Sequence, residues 1–178
     1  GQLLQSDQTE CWKTEHTFFG LSKMNINDPL PITTYLTTVK NIQAGAIFSR
    51  DWAPLHSDRD WAVNKAKLPD IIMNNYTLNG LVIKYVTDHF GASARVGKVK
   101  FNIKKPICPN KRLEFHGNLI SEKIISDELS IIKLAIDVKI SNQIFASSEI
   151  VAGINLSNKT KNSPWKIDPE TWKSYLFQ

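Results

Sequence analysis

The spacing of apolar residues changes once along the chain, close to Gly91. Before Gly91, apolar residues recur every three or four positions, which is the period of a helix with one buried face. After Gly91, apolar and polar residues alternate, which is the period of a half-buried strand. The pattern therefore predicts helices in the first half of the chain and an antiparallel sheet in the second half.

Two helices are predicted ahead of a longer central one. The first covers residues 36–47 and is followed by a polar cluster, so Asp51 is expected just after the C-terminal end of this helix. The second has Ser57 as its N-cap, with a carboxylate three residues later that suits the positive end of a helix. It covers residues 58–65, which places His56 just before a helix start.

The central helix is apolar on most of its circumference and is predicted to end at Gly91 in a left-handed cap. A helix with such a broad apolar surface is stable only when other parts of the fold cover that surface. Its apolar positions include Leu78, Leu81, Val82, Tyr85 and Val86.

Alternating runs beyond Gly91 predict four strands, and a short extended piece lies near residues 32–35. The fold class is therefore α+β, with an antiparallel sheet packed on one long helix. The four runs cover residues 96–103, 113–119, 132–140 and 144–152.

Three segments are predicted along the chain: an N-terminal extension over residues 1–30, the main domain over 31–154 and a tail over 155–178. The tail ends in a short helix, because Asp168 is a good N-cap and Pro169 suits the first helical position. This helix carries aromatic residues, and we expect it to cover an edge of the domain's own sheet.

Composition narrows the class of protein. The 178 residues carry 22 Lys and Arg against 17 Asp and Glu, a net charge of +5, and 42% of them are hydrophobic. One folded domain is expected, and the positive charge hints at phosphate-bearing ligands.

Cys11 and Cys108 lie in unrelated contexts, which predicts free thiols and no zinc site. No apolar run is long enough to span a membrane, and a cytoplasmic location is expected.

Asp51 and His56 are the candidate catalytic pair. A carboxylate and an imidazole flank a proline-containing turn between two predicted helices, so both could hold one water molecule. Spacing alone leaves a second interpretation open, in which Asp51 caps a helix or pairs with Arg50 while His56 orders the turn.

The residues around this pair resemble the MaoC-like acyl dehydratases. Their hydratase motif is similar to Asp51-x-x-Pro54-Leu55-His56 with Ala62 six residues later. The resemblance covers residues 31–153, and within it Ala53 stands where many members have Asn. The pattern is most similar to family members of steroid and acyl-CoA catabolism.

The resemblance implies a hotdog fold and an enoyl-CoA hydratase that converts a 2-enoyl-CoA to a 3-hydroxyacyl-CoA. Asp51 and His56 would be catalytic. The family's His-Gly at the start of the central helix lines up with Asn74-Asn75, whose backbone N–H groups could hold the thioester oxygen; the alternative is that the two asparagines only cap the helix. The residues expected to contact the substrate are Ala53, Pro54, Asn74 and Asn75.

The resemblance also implies that no cofactor or metal is needed beyond the coenzyme A of the substrate, and that two hotdog units work together as a homodimer or a heteromer. No nucleic-acid or membrane partner is expected. Two alternatives stay open: a hotdog acyl-CoA thioesterase, and an acyl-CoA-binding subunit that supports a catalytic partner.

Overall fold

The computed structural model describes residues 12–13, 25–156 and 163–176. In these ranges the strands form one six-stranded sheet in the order β1-β2-β4-β5-β6-β3, with every neighbouring pair antiparallel. The strands are β1 (Trp12–Lys13), β2 (Thr33–Leu36), β3 (Arg95–Ile103), β4 (Arg112–Ser126), β5 (Leu129–Ile140) and β6 (Gln143–Asn155).

Four helices accompany the sheet in the described ranges: α1 (Val39–Phe48), α2 (Arg59–Asn64), α3 (Asn75–Phe90) and α4 (Pro169–Leu176). Short 3-10 turns at Pro54–His56 and Pro164–Lys166 precede α2 and α4. No helix in the described part of the chain is both long and apolar enough to cross a membrane.

The predicted central helix is α3, and it packs on one face of the sheet. Leu78, Val82 and Tyr85 of α3 are fully or almost fully buried. They share one core with the inward residues of the long strands, such as Phe115 and Ile136. Burial of these apolar side chains is the main force that holds helix and sheet together.

The structure corrects three local predictions. The first helix begins at Val39, because Leu36 belongs to β2 and Thr38 forms a capping box with Asn41. The N-cap of α2 is Asp58, whose carboxylate accepts the Trp61 N–H at 2.9 Å, so Ser57 lies outside the helix. Gly91 has a positive φ of 85°, as predicted, but its ψ of 165° lies outside the left-handed helical region.

The tail helix α4 packs on β3, and its Trp172 lies over both β3 and the neighbouring strand β6, so the tail rests on a face of the sheet where an edge was predicted. Asp168 caps it by accepting the Thr171 N–H at 3.0 Å. Trp172 is buried, and its ring fits over Gly97 and Gly153, where any Cβ would collide with it. The segment boundaries at residues 31 and 154 stay a prediction.

Candidate active site

Asp51 is placed by the end of α1. The helix stops at Phe48, Ser49 caps it, and Arg50 adopts a positive φ of 55°. This turn folds the chain back, so that the Asp51 N–H donates to the Ala46 carbonyl at 2.9 Å. The Asp51 side chain is 22% exposed and lies at the boundary between the core and the solvent.

His56 is placed by the 3-10 turn that Pro54 begins, and it is buried. Its Nδ1 lies 2.7 Å from the Ile72 carbonyl oxygen, and its Nε2 lies 3.1 Å from Asp51 Oδ2. The two predicted catalytic residues are therefore in direct contact, and a backbone carbonyl fixes the orientation of the imidazole.

The hydrogen bonds of His56 locate its protons. A carbonyl oxygen only accepts, so Nδ1 carries a hydrogen. A bare Nε2 facing an ionised carboxylate would set two lone pairs against each other, so a proton lies between Nε2 and Asp51 Oδ2. The Asn74 amide donates to Asp51 Oδ2 at 3.2 Å and the Ala53 N–H donates to Oδ1 at 3.4 Å. These donors fix the orientation of the Asp51 carboxylate beside the imidazole.

Asn74 joins this pair to the start of α3. Its side-chain oxygen accepts the Thr77 N–H at 3.0 Å, which makes it the N-cap of the helix. Its amide nitrogen donates to Ser49 Oγ at 2.7 Å and to Asp51 Oδ2. Asn74 is 2% exposed, and its amide is committed to these partners. Its contact with a substrate stays a prediction.

Ser49 belongs to the same hydrogen-bond network, and the sequence analysis gave it no role. Its hydroxyl donates to the Gly45 carbonyl at 2.8 Å and accepts from Asn74. It therefore links the last turn of α1 to the cap of α3. A serine before a candidate catalytic aspartate was the available signal, but its link to a residue 25 positions later depends on the fold.

The first turn of α3 borders the pair. Asn75 is its first residue and is exposed. The first N–H groups of a helix have no acceptor within the helix and carry a partial positive charge. This end can bind an anionic oxygen, and Asn74 connects it to Asp51 through one side chain. Of the two asparagines, Asn74 is thus the cap and Asn75 is the first helical residue, whose contact with a substrate stays a prediction.

The other two predicted contact residues lie on the Asp51–His56 loop. Ala53 donates its N–H toward Asp51, and Pro54 is exposed at the start of the 3-10 turn. Their contact with a substrate stays a prediction. Within the ranges the structure describes, no three His, Cys, Asp or Glu side chains are arranged to hold a metal ion.

Large apolar side chains near this loop are exposed. Phe48 is 94% exposed and Trp52 is 71% exposed, one on each side of Asp51 in the chain, and Tyr76 in the first turn of α3 is 63% exposed. Their exposure makes these three side chains candidates for contact with a ligand or another chain.

Comparison with known proteins shows the family of the chain. The MaoC like domain family model matches residues 23–140. The 3-oxo-4,17-pregnadiene-20-carboxyl-CoA hydratase beta subunit of Mycobacterium tuberculosis is 29% identical over 109 residues, which are 61% of this chain and 81% of that protein.

Solved structures show the same fold. A chain of the ChsH1-ChsH2 complex from Mycobacterium tuberculosis is 25% identical with a TM-score of 0.65, over 73% of this chain and 98% of that chain. The (R)-hydratase from A. caviae involved in PHA biosynthesis is 15% identical with a TM-score of 0.62, over 74% and 97% of the two chains. These neighbours confirm the predicted hotdog fold.

Proposed function

The chain belongs to the MaoC-like domain family as an enzyme of the hydratase and dehydratase class, and we propose that it adds water to a 2-enoyl-CoA to give a 3-hydroxyacyl-CoA. The observation that carries this proposal is the 3.1 Å contact between Asp51 and His56 beside the start of α3. It brings two proton-transferring groups and a helix N-terminus to one place.

The start of α3 supplies the electrostatic part of the mechanism. When water attacks C3 of the enoyl thioester, negative charge moves onto the thioester oxygen. The backbone N–H of Asn75 and the positive end of α3 stabilise that charge. One such donor typically contributes about 3 kcal/mol to lowering the barrier.

Asp51 and His56 carry the protons. The Asp51 carboxylate accepts a proton from water while the water oxygen bonds to C3, and His56 Nε2 delivers its proton to C2. The proton on Asp51 then passes to His56 across their hydrogen bond, which restores the starting state. The net reaction adds OH to C3 and H to C2, and it consumes no other reagent.

The acyl group of the substrate is proposed to be bulky and apolar. Phe48, Trp52 and Tyr76 offer exposed apolar surface next to Asp51 and Asn75 in the sequence. The relative from Mycobacterium tuberculosis is named for a pregnadiene carboxyl-CoA, a polycyclic thioester, which supports the same substrate class.

A second hotdog subunit is the proposed partner. The similar chain in the ChsH1-ChsH2 complex and the similar beta subunit both come from assemblies of more than one chain. We propose that a partner unit completes the acyl-binding surface beside the Asp51–His56 loop.

The test measures loss of enoyl-thioester absorbance with the purified chain and a panel of 2-enoyl-CoAs, from short linear chains to a steroid side chain. Release of the coenzyme A thiol is followed in parallel. We expect absorbance loss without thiol release, and at least about a hundredfold lower kcat in Asp51→Asn and His56→Ala. Asp60→Asn, which changes an exposed carboxylate on α2, is the control and should keep full activity.

Three results would contradict the proposal. Thiol release would identify a thioesterase. Full turnover in Asp51→Asn would remove that carboxylate from the mechanism. Binding without turnover on every thioester would identify an acyl-CoA-binding subunit.

A further inference from the structure

A basic segment connects strand β3 to strand β4. Residues 104–112, here called the basic link, contain no Asp or Glu. They carry four exposed basic side chains, namely Lys104, Lys105, Lys111 and Arg112. The mechanism proposed above uses none of these four side chains.

Backbone hydrogen bonds hold the basic link at both ends. The N–H groups of Lys104 and Lys105 donate to the Phe145 carbonyl at 2.8 and 3.2 Å. At the other end, the Lys111 N–H donates to the Thr37 hydroxyl at 2.9 Å, and the Lys111 carbonyl accepts the Thr37 N–H at 2.9 Å. The basic side chains therefore start from fixed backbone positions.

The middle of the basic link contacts the segment that leads into α3. The Met73 N–H donates to the Ile107 carbonyl at 2.8 Å, and Met73 directly precedes the helix cap Asn74. The residue before it, Ile72, holds His56 Nδ1 through its carbonyl at 2.7 Å. The basic link and the imidazole of the candidate pair are therefore both joined to the start of α3 through two adjacent residues.

The length of the basic link suits coenzyme A. The pantetheine arm between the thioester sulfur and the first phosphate has about the backbone length of four to five extended residues, roughly 15 Å. Lys105 lies two residues from Ile107 and Lys111 lies four residues from it, which is about 7 and 13 Å of extended chain. A thioester held at Asn75 would thus have its phosphates within reach of both lysines.

Two carboxylates that border the basic link have partners of their own. Asp70 acts on Cys108 in the link, where it and burial raise the pKa of the thiol, and it lies 3.4 Å from Arg59 Nε. Glu114, two residues after the link, lies 3.1 Å from His116 Nε2. Because these partners compete for the two carboxylates, the link keeps a positive charge that attracts a compact anion such as a group of phosphates.

Lys105 also has an oriented side chain. Its Nζ donates to Gln143 Oε1 at 2.9 Å and lies 5.5 Å from the centre of the Phe145 ring. Both partners are uncharged, so they orient the ammonium group without neutralising it. An ammonium group has three donors, and among the described residues Gln143 takes one of them, which leaves two for phosphate oxygens.

We propose that the basic link binds the phosphates of coenzyme A, with Lys105 and Lys111 as the principal contacts. The inference rests on the proposed function, because it takes the carrier of the enoyl group to be coenzyme A. It adds the residues that favour a coenzyme A thioester over a thioester without phosphates.

The test compares two thioesters of the same 2-enoyl acid, one with coenzyme A and one with N-acetylcysteamine, which carries no phosphate. In Lys105→Gln/Lys111→Gln the KM for the coenzyme A thioester should rise about tenfold with kcat unchanged, because the phosphates are bound equally before and during the reaction. The kinetics of the N-acetylcysteamine thioester should be unchanged. Isothermal titration calorimetry with desulfo-coenzyme A measures the same contacts without turnover, and its Kd should also rise about tenfold.

Lys133→Gln/Lys173→Gln is the control, since it removes two positive charges from surface ion pairs on β5 and α4. It should keep the KM and the Kd of the unsubstituted chain. Circular dichroism verifies that each variant is folded. Unchanged KM and Kd in Lys105→Gln/Lys111→Gln would overturn the inference, and so would an unsubstituted chain that does not bind desulfo-coenzyme A.

The hydratase proposal and this inference can fail separately. If no enoyl thioester is hydrated but desulfo-coenzyme A binding depends on Lys105 and Lys111, the hydratase proposal fails and the basic link keeps its role. If hydration occurs and the substitution changes neither KM nor Kd, the inference alone fails. A larger rise in KM for an acyl-carrier-protein thioester than for the coenzyme A thioester would also overturn it, and would assign the basic link to an acidic carrier protein.

Discussion

Asn74 is the residue on which the candidate site depends most. It caps α3 through its oxygen and binds Asp51 and Ser49 through its nitrogen. Because these tasks use opposite ends of the amide, substitutions can separate them. A residue that keeps an acceptor but loses the donor should preserve the helix and release Asp51.

Asn74→Ser is expected to lower kcat about tenfold to a hundredfold, because Asp51 loses a donor and small misplacements of catalytic groups have effects of this size. The serine hydroxyl can still cap α3, so the melting temperature should change little. Asn74→Asp also keeps the cap, but it places a second carboxylate beside Asp51 and should move the acidic limb of the pH–rate profile to higher pH. Unchanged pH profiles in both variants would contradict a positioning role.

Tyr85→Phe tests a buried hydroxyl that the site does not use. Tyr85 donates to the Pro31 carbonyl and accepts the Gly117 N–H at 3.1 Å, so its loss leaves both groups unpaired and should cost about 1–3 kcal/mol of stability. Activity per folded molecule should be unchanged. Tyr76→Phe, at an exposed position, is the control.

Tyr85 also makes the free energy of unfolding depend on pH, in a direction that its environment determines. Burial raises the pKa of Tyr85 above its ordinary value, and the Gly117 hydrogen bond opposes this only in part. Because the folded state holds the proton more tightly than the unfolded state, Tyr85 favours folding below about pH 10 and loses that contribution as the pH rises further. Denaturant titrations should therefore show the stability gap between the native chain and Tyr85→Phe shrinking above that pH. A stability difference that stays constant above that pH would contradict this assignment of the pH dependence to Tyr85.

At the level of the elements, the packing of α1 against α3 sets the position of Asp51 relative to the first turn of α3. Gly45 of α1 lies so close to Thr77 of α3 that a Cβ would overlap its hydroxyl. Gly45→Ala should separate the helices, cost about 1–3 kcal/mol and reduce kcat by weakening the Asn74 links. Gly80→Ala is the control: no atom lies within 4 Å of its Cβ position, and stability should rise by about 0.5–1 kcal/mol. Chemical denaturation and kinetics of both variants test this.

The order of helices and strands could be predicted because the spacing of apolar residues shows which face of each element is buried. The alternation of Leu134, Ile136 and Val138 matched a buried face of β5, and the apolar face of α3 matched the core. Helix starts were less certain, since Ser57 and Asp58 are both good caps and only the hydrogen bond to Trp61 decides between them.

The sequence predicted that Asp51 and His56 could converge on one water, but the five-residue spacing left a structural role open, and the structure brings the two side chains within 3.1 Å. The links from Asn74 to Ser49 and from His56 to Ile72 could not be predicted, because they join residues 25 and 16 positions apart. Contacts over such distances depend on how α1, the loop and α3 pack together. Sequence periodicity reports which face of an element is buried, but not which residue it meets.

At the scale of the whole molecule, the tail extends the main domain beside its β3 edge. Arg95 at the start of β3 donates to the carbonyls of Pro164 and Ile167, both at 3.1 Å. Its guanidinium lies 4.3 Å from the ring of Trp172. The tail thereby covers the first residues of β3.

Trp172→Ala should release the tail without unfolding the sheet. The ring of Trp172 fills the space above Gly97 and Gly153, so its loss removes the apolar contact that holds α4. Truncation of a buried tryptophan costs about 3–5 kcal/mol of folding stability where the surrounding structure cannot rearrange. A terminal helix can detach by itself, so the stability of the rest of the fold should fall by less than this. Hydrogen exchange should then become fast over residues 163–176 and stay slow in β5. Trp165→Ala, which truncates a 61% exposed ring, should leave the tail protected. Equal protection in both variants would show that the two carbonyl bonds to Arg95 hold the tail without Trp172.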